Sequence, residues 1–241
     1  MSWQEAYLER FYPYSSWRRD GQRVFEALCA AVLPRGARLL EVGAGPSNAT
    51  SRFLATLGEL HGVDPDPTVR DNDALRSAAV LCAGSFPLES ASFDGCVSNY
   101  VLEHLPDPQQ HLREVRRVLR PGAPYVFRTP NRWHYVALVS RFTPHAFHRL
   151  VANRLRRLPP GSSDPYPTHY RLNSPRALRR HAAAAQLELE RLELVEREPS
   201  YGMSSRLLFL LFTGYERAVN ASPRLALLRS NIFGVLRRPV H

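Results

Sequence analysis

Apolar positions along this chain switch between a helical and a strand period. Residues 20–33 carry Val24, Leu28, Ala31 and Val32 at helical spacing and stop at Pro34-Arg35-Gly36. A short apolar run at 38–42 then predicts a buried strand, followed by a helix over 48–57 with Phe53, Leu54 and Leu57 on one face. Further strands are predicted at 60–63, 78–82 and 95–99, the last announced by Ser92-Phe93-Asp94. Residues 108–119 form an amphipathic helix (Leu112, Val115, Val118, Leu119), stopped by Pro121-Gly122 and followed by a fifth strand at 125–128. Beyond residue 170 the pattern predicts a helix from Ser174-Pro175 to about 186, a half-exposed strand at 187–195, a strongly apolar helix at 204–219 and a last strand at 231–236. Strands alternating with helices in this way predict an α/β fold around a mostly parallel sheet with helices on both faces. No internal repeat is present.

Two regions depart from this rhythm. Residues 1–19 are rich in arginine and aromatics (Trp3, Tyr7, Phe11, Tyr12, Tyr14, Trp17), which either close over a ligand or pack against the sheet. Residues 132–170 are rich in His, Arg, aromatics and Pro, as expected of a lid or substrate wall at the ligand edge.

Composition changes the picture little. A chain of 241 residues fits one α/β domain with an elaboration. Cys29, Cys82 and Cys96 lie far apart in apolar surroundings, which favours buried thiols in a reducing compartment over a disulfide framework. Neither a secretory leader nor a membrane-spanning run is evident, so a cytoplasmic location is expected. The net charge of +10 suggests a nucleic acid or an anionic membrane surface. However, every basic residue is Arg, and Ile232 is the lone isoleucine, a pattern of genomic coding bias that weakens the charge as a clue.

The candidate chemistry begins at residues 39–50, LLEVGAGPSNAT. An apolar strand bearing Glu41 runs into a turn with Gly43 and Gly45 flanking Ala44, and then into a polar helix start. Nineteen residues after Gly45, the next strand ends in Asp64 within LHGVDPDP. Glycines let a backbone approach a ligand closely, and a second acid can accept hydrogen bonds from ribose hydroxyls. The pair therefore suits a nucleoside cofactor.

These two motifs, with SFDGCVSNYVLEHLPDPQQHLREVRRVLRPGAPYVFRTPN, carry a resemblance to the class I S-adenosylmethionine-dependent methyltransferases, of the quinone-biosynthesis-like (type 11) branch. It spans residues 20–131 well and 168–198 loosely. The resemblance implies a Rossmann-like three-layer sandwich with a mostly parallel seven-stranded sheet, an antiparallel last strand and helical lid insertions. The expected organisation is one domain over 1–241: a cofactor-binding core (20–131), a lid or substrate insertion (132–170) and a helical insertion (202–230) before the last strand.

It further implies S-adenosyl-L-methionine as cofactor and S-adenosyl-L-homocysteine as product. Glu41, Gly43, Ala44 and Gly45 would hold the methionine end, Asp64 the ribose and Pro65 the adenine face; Asn99 and Tyr100 would border the methyl group. The family often has an acid after strand three to bind the adenine amino group. Here Cys82 and Ala83 stand there; a thiol is a poor acceptor, which leaves the Ala83 backbone N–H.

Transfer by in-line displacement needs alignment, exclusion of water and, for a hydroxyl acceptor, a general base. His104 is the candidate base, and the alternative is a helix-capping role. Some relatives bind a divalent ion through Glu-x-x-Glu-His; Tyr100 replaces the first acid, so no metal is expected. His134, Tyr135, His169 and Tyr170 are candidate substrate contacts, with His145 and His148 also in the insertion. Asp94 is read as a turn residue. The expected reaction is O-methylation of a small-molecule, glycan or lipid-linked acceptor.

Three rivals remain. A nucleic-acid methyltransferase is disfavoured because strand four lacks Asn/Asp-Pro-Pro-Tyr and no Pro-Cys nucleophile is present. A dinucleotide oxidoreductase is disfavoured by Asn48 where a third glycine belongs. A non-catalytic S-adenosyl-binding protein is left open by Cys82. Residues 204–230, with Arg206, Arg217, Arg224 and Arg229 flanking apolar runs, suggest a homodimer contact or a peripheral membrane surface at the inner face.

Overall fold

A computed structural model describes residues 2–142, 166–199 and 202–240, without the side chains of 139–142. His145, His148 and most of the expected lid lie outside the described residues.

Seven strands form one sheet in the order β3-β2-β1-β4-β5-β7-β6. They are β1 (Ala37–Val42), β2 (Gly58–Asp64), β3 (Ser77–Val80), β4 (Gly95–Asn99), β5 (Pro124–Pro130), β6 (Glu188–Val195) and β7 (Asn231–Arg237). β1 pairs in parallel with both β2 and β4, as β2 does with β3 and β4 with β5. The sense of β7 is opposite: Gly122 N–H donates to Arg238 O, Arg238 N–H to Ala123 O, and Asn131 N–H to Ser230 O. The chain order turns outward in both directions from β1, and the carboxyl ends of β1 and β4 therefore flank the crevice where such sheets bind ligands.

The central strands β1, β4 and β5 are apolar because they are buried on both faces, whereas the edge strand β6 (ELERLELV) is half-exposed and charged. Leu39, Leu40, Cys96, Val97, Val126 and Phe127 are fully enclosed. The helices are α1 (Trp3–Phe11), α2 (Gly21–Val32), α3 (Ala49–Ala55), α4 (Pro108–Val118), α5 (Tyr135–Phe142), α6 (Pro175–Ala184) and α7 (Arg206–Ala221).

Contacts divide the chain into two compact units. The larger comprises 22–129, 168–193 and 232–241, and holds the cofactor-type motifs; the other gathers 1–21, 130–167 and 194–231, which include most of both expected insertions.

Within that second unit the N-terminal aromatics have a partner. Trp3, Tyr7, Phe11 and Tyr12 surround Phe209 of α7 at ring-centroid distances of 5.7–6.4 Å. Tyr12 also donates a hydrogen bond to the buried carboxylate of Glu216 at 3.2 Å. Glu216 is compensated by Arg18 (3.3 Å) and Arg217 (3.4 Å) and accepts from Asn220 at 2.6 Å. The periodicity did not reveal α1. It is short and amphiphilic, and it rests on a Ser2–Glu5 capping box.

Candidate functional site

β1 delivers Glu41, 2 % exposed, to the edge of the crevice. Asn48 accepts from Ser51 N–H and so caps α3, which begins one residue later than the periodicity suggests. That start places Ser51 Oγ where it donates to Glu41 Oε2 at 2.7 Å. Asn48 Nδ2 and Asn72 Nδ2 in turn donate to Ser51 Oγ at 2.9 and 3.0 Å. Burial lifts the Glu41 carboxyl from 4.5 to about 7; the Ser51 hydrogen bond opposes this, while the nearby Asp64 charge adds to it.

The turn after β1 is tight for two separate reasons. Gly43 has φ +75°, and a Cβ there would lie 2.3 Å from Val101 Cγ2. Gly45 has φ +51°, yet a Cβ there would meet nothing within 4 Å. Space beside Gly45 is therefore open, a cradle that a side chain would fill. Asp64, at the end of β2, accepts from Gly45 N–H at 3.0 Å through Oδ2 and from Asp66 N–H at 2.8 Å through Oδ1. Each oxygen keeps a further lone pair. Burial raises its pKa against those two backbone donors. Pro65, next in sequence, is exposed.

β3 ends at Val80, two residues earlier than expected, because the chain enters a tight turn. Ala83 (φ +49°) and Gly84 (φ +75°) are both left-handed, and Ser85 N–H donates to Cys82 O at 3.0 Å. Cys82 is exposed in that turn, which corrects the expectation of three buried thiols; Cys29 and Cys96 are buried. Ala83 O accepts from Gln110 Nε2 at 3.0 Å.

Asn99 ends β4 in register with Arg128 of β5. Asn99 Nδ2 donates to Gln22 Oε1 (3.1 Å) and Thr50 Oγ1 (3.0 Å), while its buried Oδ1 has no hydrogen-bond partner. Tyr100 is left-handed (φ +58°), and its N–H donates to Arg128 O at 2.8 Å. The ring, 39 % exposed, lies against the Arg128 guanidinium, with 4.5 Å between its centroid and Cζ.

Glu103 is buried at the 3₁₀ turn that follows (Leu102–His104). It accepts from Thr129 Oγ1 at 3.0 Å, and Asn173 Nδ2 donates to Thr129 Oγ1 at 2.6 Å. Burial pushes its carboxyl up to about 7, against hydrogen bonds and the Arg128 charge. His104 is partly exposed, its Nε2 3.9 Å from Glu103 Oε1. His169 and Tyr170 donate their backbone N–H groups to Glu103 O at 2.7 and 3.1 Å. One turn thus gathers His104, His169 and Tyr170.

His134 and Tyr135 fall in the other unit. His134 is 5 % exposed, lies tilted against Tyr135 with 4.1 Å between ring centroids and is 3.5 Å from Glu196 Oε2. Burial lowers its pKa to about 4. Tyr135 stacks on Phe212 at 5.2 Å and an interplanar angle of 3°. Both rings pack within that unit. Asp94 serves as a turn residue, accepting from Arg38 N–H and pairing with Arg120.

Ser51, Asn72, Thr50, Gln22 and Arg128 lie at the site without having been singled out from the sequence. Arg128 carried a usable signal, an arginine inside the apolar strand PYVFRTP. Among the described residues no cluster of three or more His, Cys, Asp or Glu is placed to hold a metal ion.

Residues 40–127 match the family described as methyltransferase domain. An uncharacterized methyltransferase of Mycobacterium sp. (strain KMS) is 38 % identical over 95 residues, 37 % of each chain. Another, of Anoxybacillus flavithermus, is 25 % identical over 165 residues, 64 % of this chain and 78 % of that one. The match thus spans little more than a third of the length of the mycobacterial relative. Among solved structures, the [4+2]-cyclase SpnF superposes with a TM-score of 0.60 at 17 % identity, covering 95 % of this chain and 85 % of that one. Such a likeness establishes the fold and not the chemistry. The Glu41–Gly45 turn, Asp64 and β4 all fall within residues 40–127, the part of the chain that is similar to the methyltransferase domain, and the seven-stranded sheet has the fold of solved methyltransferase structures.

Proposed function

We propose that the protein methylates a hydroxyl of a small-molecule, glycan or lipid-linked acceptor, using S-adenosyl-L-methionine and releasing S-adenosyl-L-homocysteine. The observation that carries this reading is the open cradle beside Gly45, set between Glu41 and Asp64.

The residues present fit such a cofactor. Gly45 offers backbone with no side chain in the way, reached through Gly43 and Ala44; Glu41 offers a buried carboxyl for an ammonium group, and Asp64 the two lone pairs for ribose hydroxyls. Pro65 would lie on the adenine face, and the Cys82-Ala83 turn would border its edge, with the Ala83 N–H as donor. When bound, the cofactor supplies a methyl group already activated by a sulfonium. The protein's remaining task is to align the acceptor, exclude water and take a proton. Asn99 and Tyr100 border the acceptor, His104 takes the hydroxyl proton, and His169 and Tyr170 frame the same turn.

The test is formation of S-adenosyl-L-homocysteine when the protein meets S-adenosyl-L-methionine and fractionated small-molecule and glycolipid extracts. A His104→Ala variant with wild-type turnover removes His104 from this role. Tight cofactor binding without turnover on any fraction favours the non-catalytic reading.

The exposed Leu207, Leu210, Leu211 and Leu227 favour contact of their unit with an anionic membrane surface. Only two of the four flanking arginines, Arg206 and Arg224, are well exposed beside them. Arg217 is drawn to Phe11 O and Glu216, and Arg229 to the carbonyls of Val219, Leu194 and Ser222. No helix among the described residues is long and apolar enough to cross a membrane. Absence of co-sedimentation with phosphatidylglycerol vesicles refutes the membrane reading; a dimeric mass in that case assigns the leucines to a second copy.

A further inference from the structure

Arg128 stands where an apolar side chain would be easier to accommodate. It sits inside an enclosed run of β5, between Phe127 and the fully buried Thr129, and is only 9 % exposed. A buried guanidinium is costly unless it is paired or hydrogen-bonded. Other arginines with little exposure follow that rule: Arg229 donates to three backbone carbonyls and Arg197 to Trp17 O. Arg128 does not. Among the described residues its guanidinium makes no hydrogen bond and no ion pair, and its Nε is fully buried without a partner. What surrounds it is aromatic, with Cζ 4.5 Å from the Tyr100 ring centroid and 5.5 Å from that of Phe233. The Glu103 carboxylate feels the Arg128 charge but makes no ion pair with it, and its Oε2 accepts from Thr129.

Aromatic contacts stabilise a guanidinium through its face and leave the N–H fork at its edge unused. That fork matches the oxygens of a carboxylate or a phosphate. Asn99, the in-register neighbour on β4, adds a second orphan: its buried Oδ1 accepts nothing. Two unsatisfied polar groups of opposite character thus lie side by side at the strand ends, next to Tyr100.

We propose that Arg128 is the anchor for an anionic oxygen group, carboxylate or phosphate, carried by the methyl acceptor. Asn99 Oδ1 accepts a hydroxyl or amine hydrogen from the same molecule. The word acceptor rests on the methyltransferase reading; the anion site itself does not.

The test is calorimetric titration of the full chain, with and without S-adenosyl-L-homocysteine, using inorganic phosphate, benzoate and neutral benzamide against a sodium chloride control of equal ionic strength. Phosphate or benzoate should bind saturably, benzamide should not, and Arg128→Met should weaken the anion by about tenfold or more, the loss of one charge-assisted hydrogen bond. In wild-type protein labelled with ¹⁵N, the Arg128 Nε–H resonance should move with the anion, an arm that does not depend on a variant folding. Phosphate gives the larger response if the natural group is a phosphate, benzoate if it is a carboxylate. No anion heat above chloride, undiminished binding by Arg128→Met, or an unmoved Nε–H resonance each overturns the proposal. The wild-type titration with S-adenosyl-L-homocysteine alone reports separately on the methyltransferase reading.

Discussion

Replacing Glu41 with Gln should make the ligand-free protein more stable and leave it unable to hold its cofactor well. The Glu41 carboxyl is raised from 4.5 to about 7, chiefly by burial. At about 1.4 kcal/mol per unit, its ionisation costs the native state about 3 kcal/mol above pH 7. The sign follows from proton counts. Between pH 4.5 and about 7 the native state keeps a proton that the unfolded chain has lost, so this group's contribution is most favourable below 4.5, declines through that window and is flat above it. Gln is isosteric and uncharged, and its Oε1 still accepts from Ser51 Oγ. Its buried amide N–H₂ returns about 1 kcal/mol of that gain. Glu41→Gln should therefore raise stability by about 1–2 kcal/mol at pH 8, with most of the gain gone at pH 5. Urea denaturation at both pH values measures this difference. Glu103 and Glu196, also raised to about 7, respond alike in both proteins and cancel. In parallel, calorimetry should show S-adenosyl-L-homocysteine binding about tenfold weaker or worse, the loss of one charged contact. A gain as large at pH 5 as at pH 8, or a destabilised variant at pH 8, refutes the reasoning about burial; unaltered cofactor affinity refutes the role given to Glu41.

The two glycines of the turn should separate by assay. Gly43→Ala, with its Cβ 2.3 Å from Val101, should cost about 2–4 kcal/mol in urea unfolding, whereas Gly45→Ala should cost only the left-handed penalty of about 1–2 kcal/mol and still lose cofactor affinity. Phe209→Ala removes the ring that four N-terminal aromatics surround and should cost its unit about 3–5 kcal/mol, read as earlier proteolysis of residues 1–21. Cofactor affinity should fall as pH drops below about 7, where Glu41 takes up its proton, and pH-independent binding between 5.5 and 8 would contradict a charged contact there.

Much of this architecture was legible along the chain, for identifiable reasons. β4 falls on the residues its apolar run marked, and β1 begins one residue before its run, because interior parallel strands are continuous hydrophobic segments. The Glu41–Gly45 turn and Asp64 were legible because a left-handed turn and a strand-end acid that accepts from its backbone impose residue types locally. What escaped depends on partners distant in sequence. Ser51 and Asn72 acquire meaning only once the fold brings them to Glu41, and Arg217 and Arg229 look like surface charges until α1 and β6 supply carbonyls for them. The burial of His134 beside Tyr135 likewise could not be read from its own position in the chain. Cys82 seemed buried from its apolar neighbours, yet the left-handed pair Ala83-Gly84 turns it outward.

Calorimetric titration of S-adenosyl-L-homocysteine into the folded wild-type chain and into Asp64→Asn tests the nucleoside pocket at the ends of β1 and β2 most directly. Saturable one-to-one heat in the wild type, weakened or abolished by the substitution, is the predicted result. Silence from well-folded wild-type protein, or equal affinity in both, would contradict it.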